Sequence, residues 1–136
     1  MDNSQELEKF KNAVFSTAKA IARKSLSLED QKQLEKITVP KIISINNHEE
    51  MLEARANADS EALRIRHSDE AIFKKNEPKG TVSKSLYKIA EKIRYEKIGS
   101  DQYIGIQNNL NNFYQKKLRI VMSIHKILLP MHLKLI

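Results

Sequence analysis

Several residue types that build specialised sites are scarce in this sequence. It contains no cysteine and no tryptophan, and only three glycines and three prolines among its 136 residues. The lack of cysteine excludes disulfide scaffolds, cysteine-ligated zinc, iron–sulfur clusters and thiol nucleophiles. The small supply of glycine and proline leaves too few turn residues for a many-stranded sandwich or barrel. We therefore expect a mainly α, small helical domain of about four to five helices.

The net charge of +7 is concentrated near the carboxyl end of the chain. Residues 1–101 contain 19 Lys and Arg residues and all 17 Asp and Glu residues, whereas residues 102–136 contain five basic and no acidic residues. Over the larger part, lysine alternates with glutamate along helical faces, which is typical of solvated surface. A phosphate-binding stripe is the less favoured interpretation, so we do not expect binding to nucleic acid.

Helical spacing of apolar residues accounts for the first half of the chain. A first amphipathic helix is predicted from the stripe Leu7, Phe10, Val14, Ala18 and Ile21. Ser27 followed by Asp30 is typical of a cap that opens a short second helix. A run of isoleucines near residues 38–45 predicts one short extended segment. A long third helix is then expected from His48 to about Lys75.

The second half of the chain begins after the turn residues at 77–80. The clearest apolar stripe follows, and we expect it to face the core: Val82, Leu86, Ile89, Ala90 and Ile93. Gly99 is predicted to end this helix, and Ser100 or Asp101 to start the next one. The last helix is expected to present one apolar face formed by Ile106, Leu110, Phe113 and Tyr114.

From Leu118 onward the sequence is dense in apolar residues and carries only basic charge. We divide the chain accordingly into a helical domain at residues 1–117 and a divergent apolar, basic tail at residues 118–136. Arg119 and Lys126 interrupt the tail, so its apolar runs are shorter than the roughly 18 to 20 residues of a membrane span. The amino-terminal residues lack the apolar stretch of a secretory signal, so we expect a cytoplasmic protein.

No complete catalytic or metal-binding site is recognisable in the sequence. The four histidines include no pair at the i, i+4 spacing of a helical metal site. The three glycines lie too far apart to form a phosphate-binding loop. His67, Asp69 and Glu70 combine a base with carboxylates, but surface or helix-pairing roles are the preferred interpretation. We therefore predict no catalytic residue, no cofactor and no metal ligand.

Several short strings between residues 55 and 110 occur in a specific order and spacing. They are Arg55-Ala56-Asn57-Ala58-Asp59, Ala62-Leu63-Arg64-Ile65-Arg66 with Asp69, Pro78, Glu91-x-x-Arg94-x-Glu96-x-Ile98-Gly99, and Asn109-Leu110. Together they resemble the N-terminal region of the T subunit of aerobic cobaltochelatase, the CobT family. The resemblance covers roughly residues 6–117. Family members often carry histidines where this chain has Ser68 and Phe73, so no role of those histidines is carried over.

The resemblance implies a place in cobalamin biosynthesis. In the family, the T subunit works with an AAA+ ATPase subunit and a large tetrapyrrole-binding subunit to insert cobalt into a corrin-ring precursor at the expense of ATP. Family members continue through an acidic linker into a von Willebrand A-like domain with a metal-ion-dependent adhesion site, which this sequence lacks. We therefore expect a truncated, non-catalytic assembly module without activity of its own, whose partners are the ATPase and large subunits.

Three residues of the longest matching string are candidate partner contacts: Glu91, Arg94 and Glu96. Glu91 and Arg94 are also spaced to pair with each other on or near the helix surface. For the segment from Leu118, we expect the product of a reading-frame change or early termination, because the resemblance stops near Lys117 and the charge balance shifts there.

Two other interpretations of function stay open. The chain could be a degenerate or repurposed fragment without a chelatase role, or a small basic nucleic-acid-binding protein. Co-purification with an AAA+ protein would separate the assembly module from the fragment. A steep salt dependence of binding to DNA or RNA would favour the nucleic-acid-binding protein.

Overall fold

Six α-helices make up most of the chain in the computed structural model, which describes residues 3–22, 27–38 and 46–133. They are α1 (Asn3–Ala22), α2 (Leu28–Thr38), α3 (His48–His67), α4 (Glu70–Lys75), α5 (Thr81–Gln102) and α6 (Ile104–Leu133). These described ranges contain no strand, so the predicted mainly α fold is confirmed. Of the predicted extended segment near residues 38–45, Thr38 ends α2 and the remainder lies outside the described residues.

Helix α3 is the central helix of the domain, because it is packed on two sides. On one side, Ala54, Ala58 and Ala62 follow each other at steps of four residues and face α1. There they meet the buried residues Phe10, Val14, Ala18 and Ala22. Small side chains on both helices allow their axes to approach closely, and the larger side chains of α1 fill the remaining space. The predicted apolar stripe of α1 is thus confirmed as a core face.

The other side of α3 holds a second apolar cluster around Leu63, which is fully buried. Its neighbours from α5 and α6 are Tyr95, Ile106, Leu110 and Phe113. Gly99 lies inside α5, at a place where a Cβ atom would overlap the side chain of Leu63. The prediction that Gly99 ends the helix is therefore wrong. The glycine permits close helix packing instead of a turn, so α5 continues to Gln102 and α6 starts only at Ile104.

The predicted long third helix is divided into α3 and α4. Ser68 has an extended backbone, and Asp69 caps α4 by accepting hydrogen bonds from the amides of Ala71 and Ile72 at 2.9 and 3.1 Å. A carboxylate that satisfies these amides stabilises a new helix start and competes with continuation of the first helix. The spacing of apolar residues is helical on both sides of this break, so it does not indicate where α3 ends and α4 begins.

The apolar stripe of α5 does not face the core, contrary to the prediction. Val82, Leu86, Ile89 and Ile93 have between 53% and 73% of their surface exposed, and Ala90 is exposed as well. The buried residues of α5 are instead Tyr95, Glu96 and Gly99. Helix α5 meets the end of α3 near Arg94, and ahead of that point it is supported by the short helix α4, where Tyr87 stacks on Phe73 with ring centroids 4.6 Å apart. The stripe therefore extends past the central helix that would have covered it.

Helix α6 is packed over its first turns and exposed beyond them. Of the predicted apolar face, Ile106, Leu110 and Phe113 are buried, whereas Tyr114 is 41% exposed because it lies at the edge of this face and turns its hydroxyl to Glu96. Every side chain from Leu118 to Leu128 is exposed. The helix is continuous across the predicted domain boundary between residues 117 and 118. Within the described ranges, no helix is both long and apolar enough to cross a membrane.

Candidate partner-binding surface

Glu91 and Arg94 form an ion pair on α5, at the point where α5 meets the end of α3. The guanidinium of Arg94 donates two hydrogen bonds to the Glu91 carboxylate at 2.7 and 2.8 Å, and a third to the carbonyl of His67 at 2.6 Å. Ser68 donates to the same carboxylate at 2.6 Å. The hydrogen bonds from Arg94, with the smaller contribution of Ser68, lower the pKa of Glu91 to about 2. The pair fastens α5 to the carboxyl end of α3, where the helix dipole favours a cation.

The predicted pairing of these two residues at i, i+3 is confirmed, and both remain in part accessible. The Arg94 side chain has 46% of its surface exposed, whereas that of Glu91 has 22% exposed. The Glu91 hydrogen bond also raises the pKa of Arg94, so the guanidinium stays charged. Arg94 therefore combines a position fixed by Glu91 and His67 with a guanidinium that is partly accessible to solvent.

Glu96, the third candidate contact, is buried inside the domain and has only 7% of its surface exposed. The hydroxyl groups of Ser60 and Tyr114 donate hydrogen bonds to its two oxygens at 2.6 and 2.7 Å. Burial raises the pKa of Tyr114, and its hydrogen bond to Glu96 raises that pKa further. Glu96 thus joins α3, α5 and α6 inside the domain. Sequence reasoning missed Ser60 and Tyr114 as its partners, since they lie on other helices, 36 and 18 positions away from Glu96 in the chain.

Exposed aliphatic side chains on α5 and α6 are the other notable feature of the surface. On α5 they form the stripe from Val82 to Ile93, and on α6 they extend from Leu118 to Leu128. Single exposed apolar residues are ordinary, but contiguous apolar surface of this kind marks protein–protein or membrane contact sites. The two helices therefore offer surface that is suited to burial against another molecule.

Among the concave sites formed by the described residues, two of different size have linings of mixed charge. The larger has a volume of about 670 Å³, and its charged lining residues are Glu61, Glu70, Glu77, Arg64, Lys74 and Lys88. Arg64 is paired with Glu61 at 2.6 Å and Lys74 with Glu70 at 2.9 Å, so these four charges satisfy each other. The smaller, of about 210 Å³, contains Asp59, whose pKa is raised by burial and which accepts a hydrogen bond from Asn109 at 2.8 Å. Among the residues that the structure describes, no group of three or more His, Asp or Glu side chains is arranged to hold a metal ion.

The strings that carry the family resemblance lie at contacts between helices. Asp59 in the first string and Asn109 in the last are hydrogen-bonded to each other, which joins α3 to α6. Leu63 and Gly99, in the second and fourth strings, pack directly against each other and join α3 to α5. These matching residues therefore help to specify how the helices pack. Of the ion pair formed by Glu91 and Arg94, Arg94 has the larger exposed surface.

Comparison with known proteins gives one family match. The family described as cobalamin biosynthesis protein CobT matches residues 4–122, which is most of the chain. The match extends past residue 117, where the resemblance was expected to end, and includes the first turn of the exposed half of α6. No curated protein and no solved structure matches the chain.

Proposed function

The chain belongs to the CobT family of cobalamin biosynthesis proteins, and from this premise we propose that it is a non-catalytic assembly module of cobaltochelatase. This ATP-dependent complex inserts cobalt into a corrin precursor. The proposed partners are its AAA+ ATPase subunit and its large tetrapyrrole-binding subunit. The observation that carries the proposal is the family match over residues 4–122, within which the matching polar residues are used for helix packing.

The buried polar groups of the domain support a structural role. Asp59 is bound by Asn109, and Glu96 is bound by Ser60 and Tyr114, so each carboxylate already has its hydrogen-bond partners within the domain. Such satisfied buried networks fix the relative positions of helices. A rigid helical domain that exposes apolar side chains on two helices is suited to holding other subunits together.

Arg94 is the candidate contact that is best placed to reach a partner. The substitution Arg94→Glu reverses its charge and should weaken binding to a subunit that presents a carboxylate at this place. It also breaks the internal hydrogen bonds to Glu91 and His67, so a control is needed. Glu91→Gln disturbs the same internal pair while leaving the Arg94 cation exposed. A contact role for Arg94 predicts weaker binding with Arg94→Glu and nearly unchanged binding with Glu91→Gln.

The proposal is tested with purified components. The chain is mixed with the ATPase subunit or the large subunit of cobaltochelatase from the same source, and complex formation is measured by titration calorimetry and size-exclusion chromatography. We expect binding to at least one subunit with a Kd below about 10 μM. We expect neither ATP hydrolysis nor cobalt insertion by the chain alone. Lack of binding to both subunits would contradict the proposal.

A further inference from the structure

The exposed half of α6, residues 118–128, is here called the overhang. It carries seven large aliphatic side chains, and each of them has between 50% and 65% of its surface exposed. They are Leu118, Ile120, Val121, Met122, Ile124, Ile127 and Leu128. The described part of the domain has no helix packed over them, since the buried residues of α6 end at Phe113.

The overhang continues the register of the packed part of the same helix. Eighteen residues make five full turns of an α-helix, so Ile124 and Leu128 point in the same directions as the buried residues Ile106 and Leu110. The apolar face that binds α3 and α5 at one end of α6 is therefore repeated at the other end without a cover. The overhang has a length of about 16 Å at 1.5 Å per residue.

Apolar residues occupy seven of the eleven positions in the overhang, which is more than one side of a helix. A helix that packs on a single flat neighbour needs an apolar stripe of roughly 100°. The broader apolar surface suits a groove that surrounds the helix on several sides, as in the recognition of amphipathic helices by apolar grooves. The width of the apolar surface thus favours insertion of the overhang into a concave site.

The charge of α6 determines what kind of groove is complementary. Between Ile104 and Leu133 the helix contains no acidic residue, and the overhang carries Arg119 and Lys126. A second copy of the chain that docked through its own overhang would bring the same two cations and no carboxylate, so the charges of the two overhangs would not be complementary. A groove with an apolar floor and carboxylates on its rim complements both the apolar residues and the cations.

We infer that the overhang is the segment by which the chain docks to a cobaltochelatase subunit, by inserting into an apolar groove with an acidic rim on that subunit. The inference rests on the proposed function, because that function supplies the partner. A segment that arose by a reading-frame change or early termination would not be needed for binding to a partner. A docking segment would be needed, and this difference separates the two interpretations of residues 118–128.

The test compares overhang variants with a matched control in the full chain. Ile124→Asp places a carboxylate at the centre of the overhang, where Ile124 is 51% exposed, and Ile72→Asp makes the same change on α4, where Ile72 is 60% exposed. A chain ending at Lys117 removes the overhang altogether. Far-UV circular dichroism and urea unfolding of each variant show whether the domain is still folded before its binding is measured.

Each protein is titrated against the purified ATPase subunit and the purified large subunit. We expect Ile124→Asp and the shortened chain to weaken the binding of one subunit by at least about tenfold, and Ile72→Asp to leave it unchanged. Binding should weaken as salt is raised, and Lys126→Glu should reduce that salt dependence.

The outcomes separate this inference from the proposed function. Binding of a subunit with equal affinity by wild type, Ile124→Asp and the shortened chain would overturn the inference and leave the proposed function standing. Absence of binding by the wild type would overturn both. A dimer in sedimentation experiments, or binding to vesicles of anionic phospholipid, would also overturn the inference if Ile124→Asp abolished it while subunit binding persisted.

Discussion

Replacing Gly99 by alanine should destabilise the domain, although alanine is the better helix former. In an exposed helix interior, the exchange of glycine for alanine stabilises by up to about 1 kcal/mol. At position 99, however, the new Cβ would overlap three carbon atoms of the Leu63 side chain. Leu63 is fully buried and cannot turn into solvent. Overpacking of a close-packed core costs about 1–3 kcal/mol, so after subtraction of the helix-propensity gain we expect a net loss of up to about 2 kcal/mol in the free energy of unfolding.

Gly105 provides the matched control, because a Cβ added there meets no atom within 4 Å. Gly105→Ala should leave stability unchanged or raise it slightly. A second comparison uses Leu63→Ala, which removes the side chain that alanine at position 99 would strike and costs about 2–5 kcal/mol by itself. In that background, Gly99→Ala should cost little, so the double-mutant cycle should show coupling between the two positions.

The wild type, the three single variants and the double variant are compared by urea unfolding followed with far-UV circular dichroism. A steric clash with Leu63 is refuted if Gly99→Ala raises the unfolding midpoint as much as Gly105→Ala does. It is also refuted if the effect of Gly99→Ala is the same with Leu63 and with Ala at position 63, because the cost would then have another origin.

Three further predictions concern the ion pair, the buried glutamate and the end of α6. Because the pKa of Glu91 is lowered from 4.5 to about 2 in the folded state, its charged form stabilises the fold above pH 4.5, and the stability difference between wild type and Glu91→Gln should shrink as the pH falls to about 2. Tyr114→Phe removes a hydrogen bond to buried Glu96 and should lower the unfolding free energy by about 1 kcal/mol in urea titrations. Deleting residues 118–136 should lower the free energy of unfolding by on the order of 1 kcal/mol or less, since residues 118–128 are exposed. The deletion should also improve solubility. A melting temperature lower by many degrees would contradict the expected small effect on stability.

Features that depend on neighbouring residues in the chain could be predicted from the sequence. The cap at the start of α2 is an example: the Ser27 hydroxyl accepts a hydrogen bond from the Asp30 amide at 3.1 Å, and the Asp30 carboxylate accepts one from the Ser27 amide at 3.3 Å. The pairing of Glu91 with Arg94 is another, because residues three positions apart lie side by side on a helix. In both cases helix geometry alone brings the groups together.

Which apolar face becomes buried could not be predicted in the same way. The stripe from Val82 to Ile93 has regular helical spacing, yet it is exposed, whereas Tyr95 and Gly99 on the same helix are buried. Spacing identifies an apolar face but does not identify the helix that will cover it. The two-sided burial of α3 and the close approach at Gly99 depend on residues far apart in the chain.

In the candidate site, too, contacts between sequence neighbours could be predicted and contacts between distant residues could not. The hydrogen bond from Arg94 to the His67 carbonyl crosses 27 positions of sequence, and that from Ser60 to Glu96 crosses 36. Neither contact can be read from local spacing, because each depends on how α3 and α5 cross. For this reason the sequence placed Glu91, Arg94 and Glu96 in one group, and the structure divides them into a surface pair and a buried residue.

Hydrogen–deuterium exchange on the chain, alone and with a saturating amount of the cobaltochelatase ATPase subunit or large subunit, tests the assembly role most directly. We predict that backbone amides in residues 118–128 exchange more slowly when the partner subunit is present, whereas amides in α1, which lies on the opposite side of α3, are unaffected. Unchanged exchange throughout the chain in the presence of either subunit would contradict an assembly role.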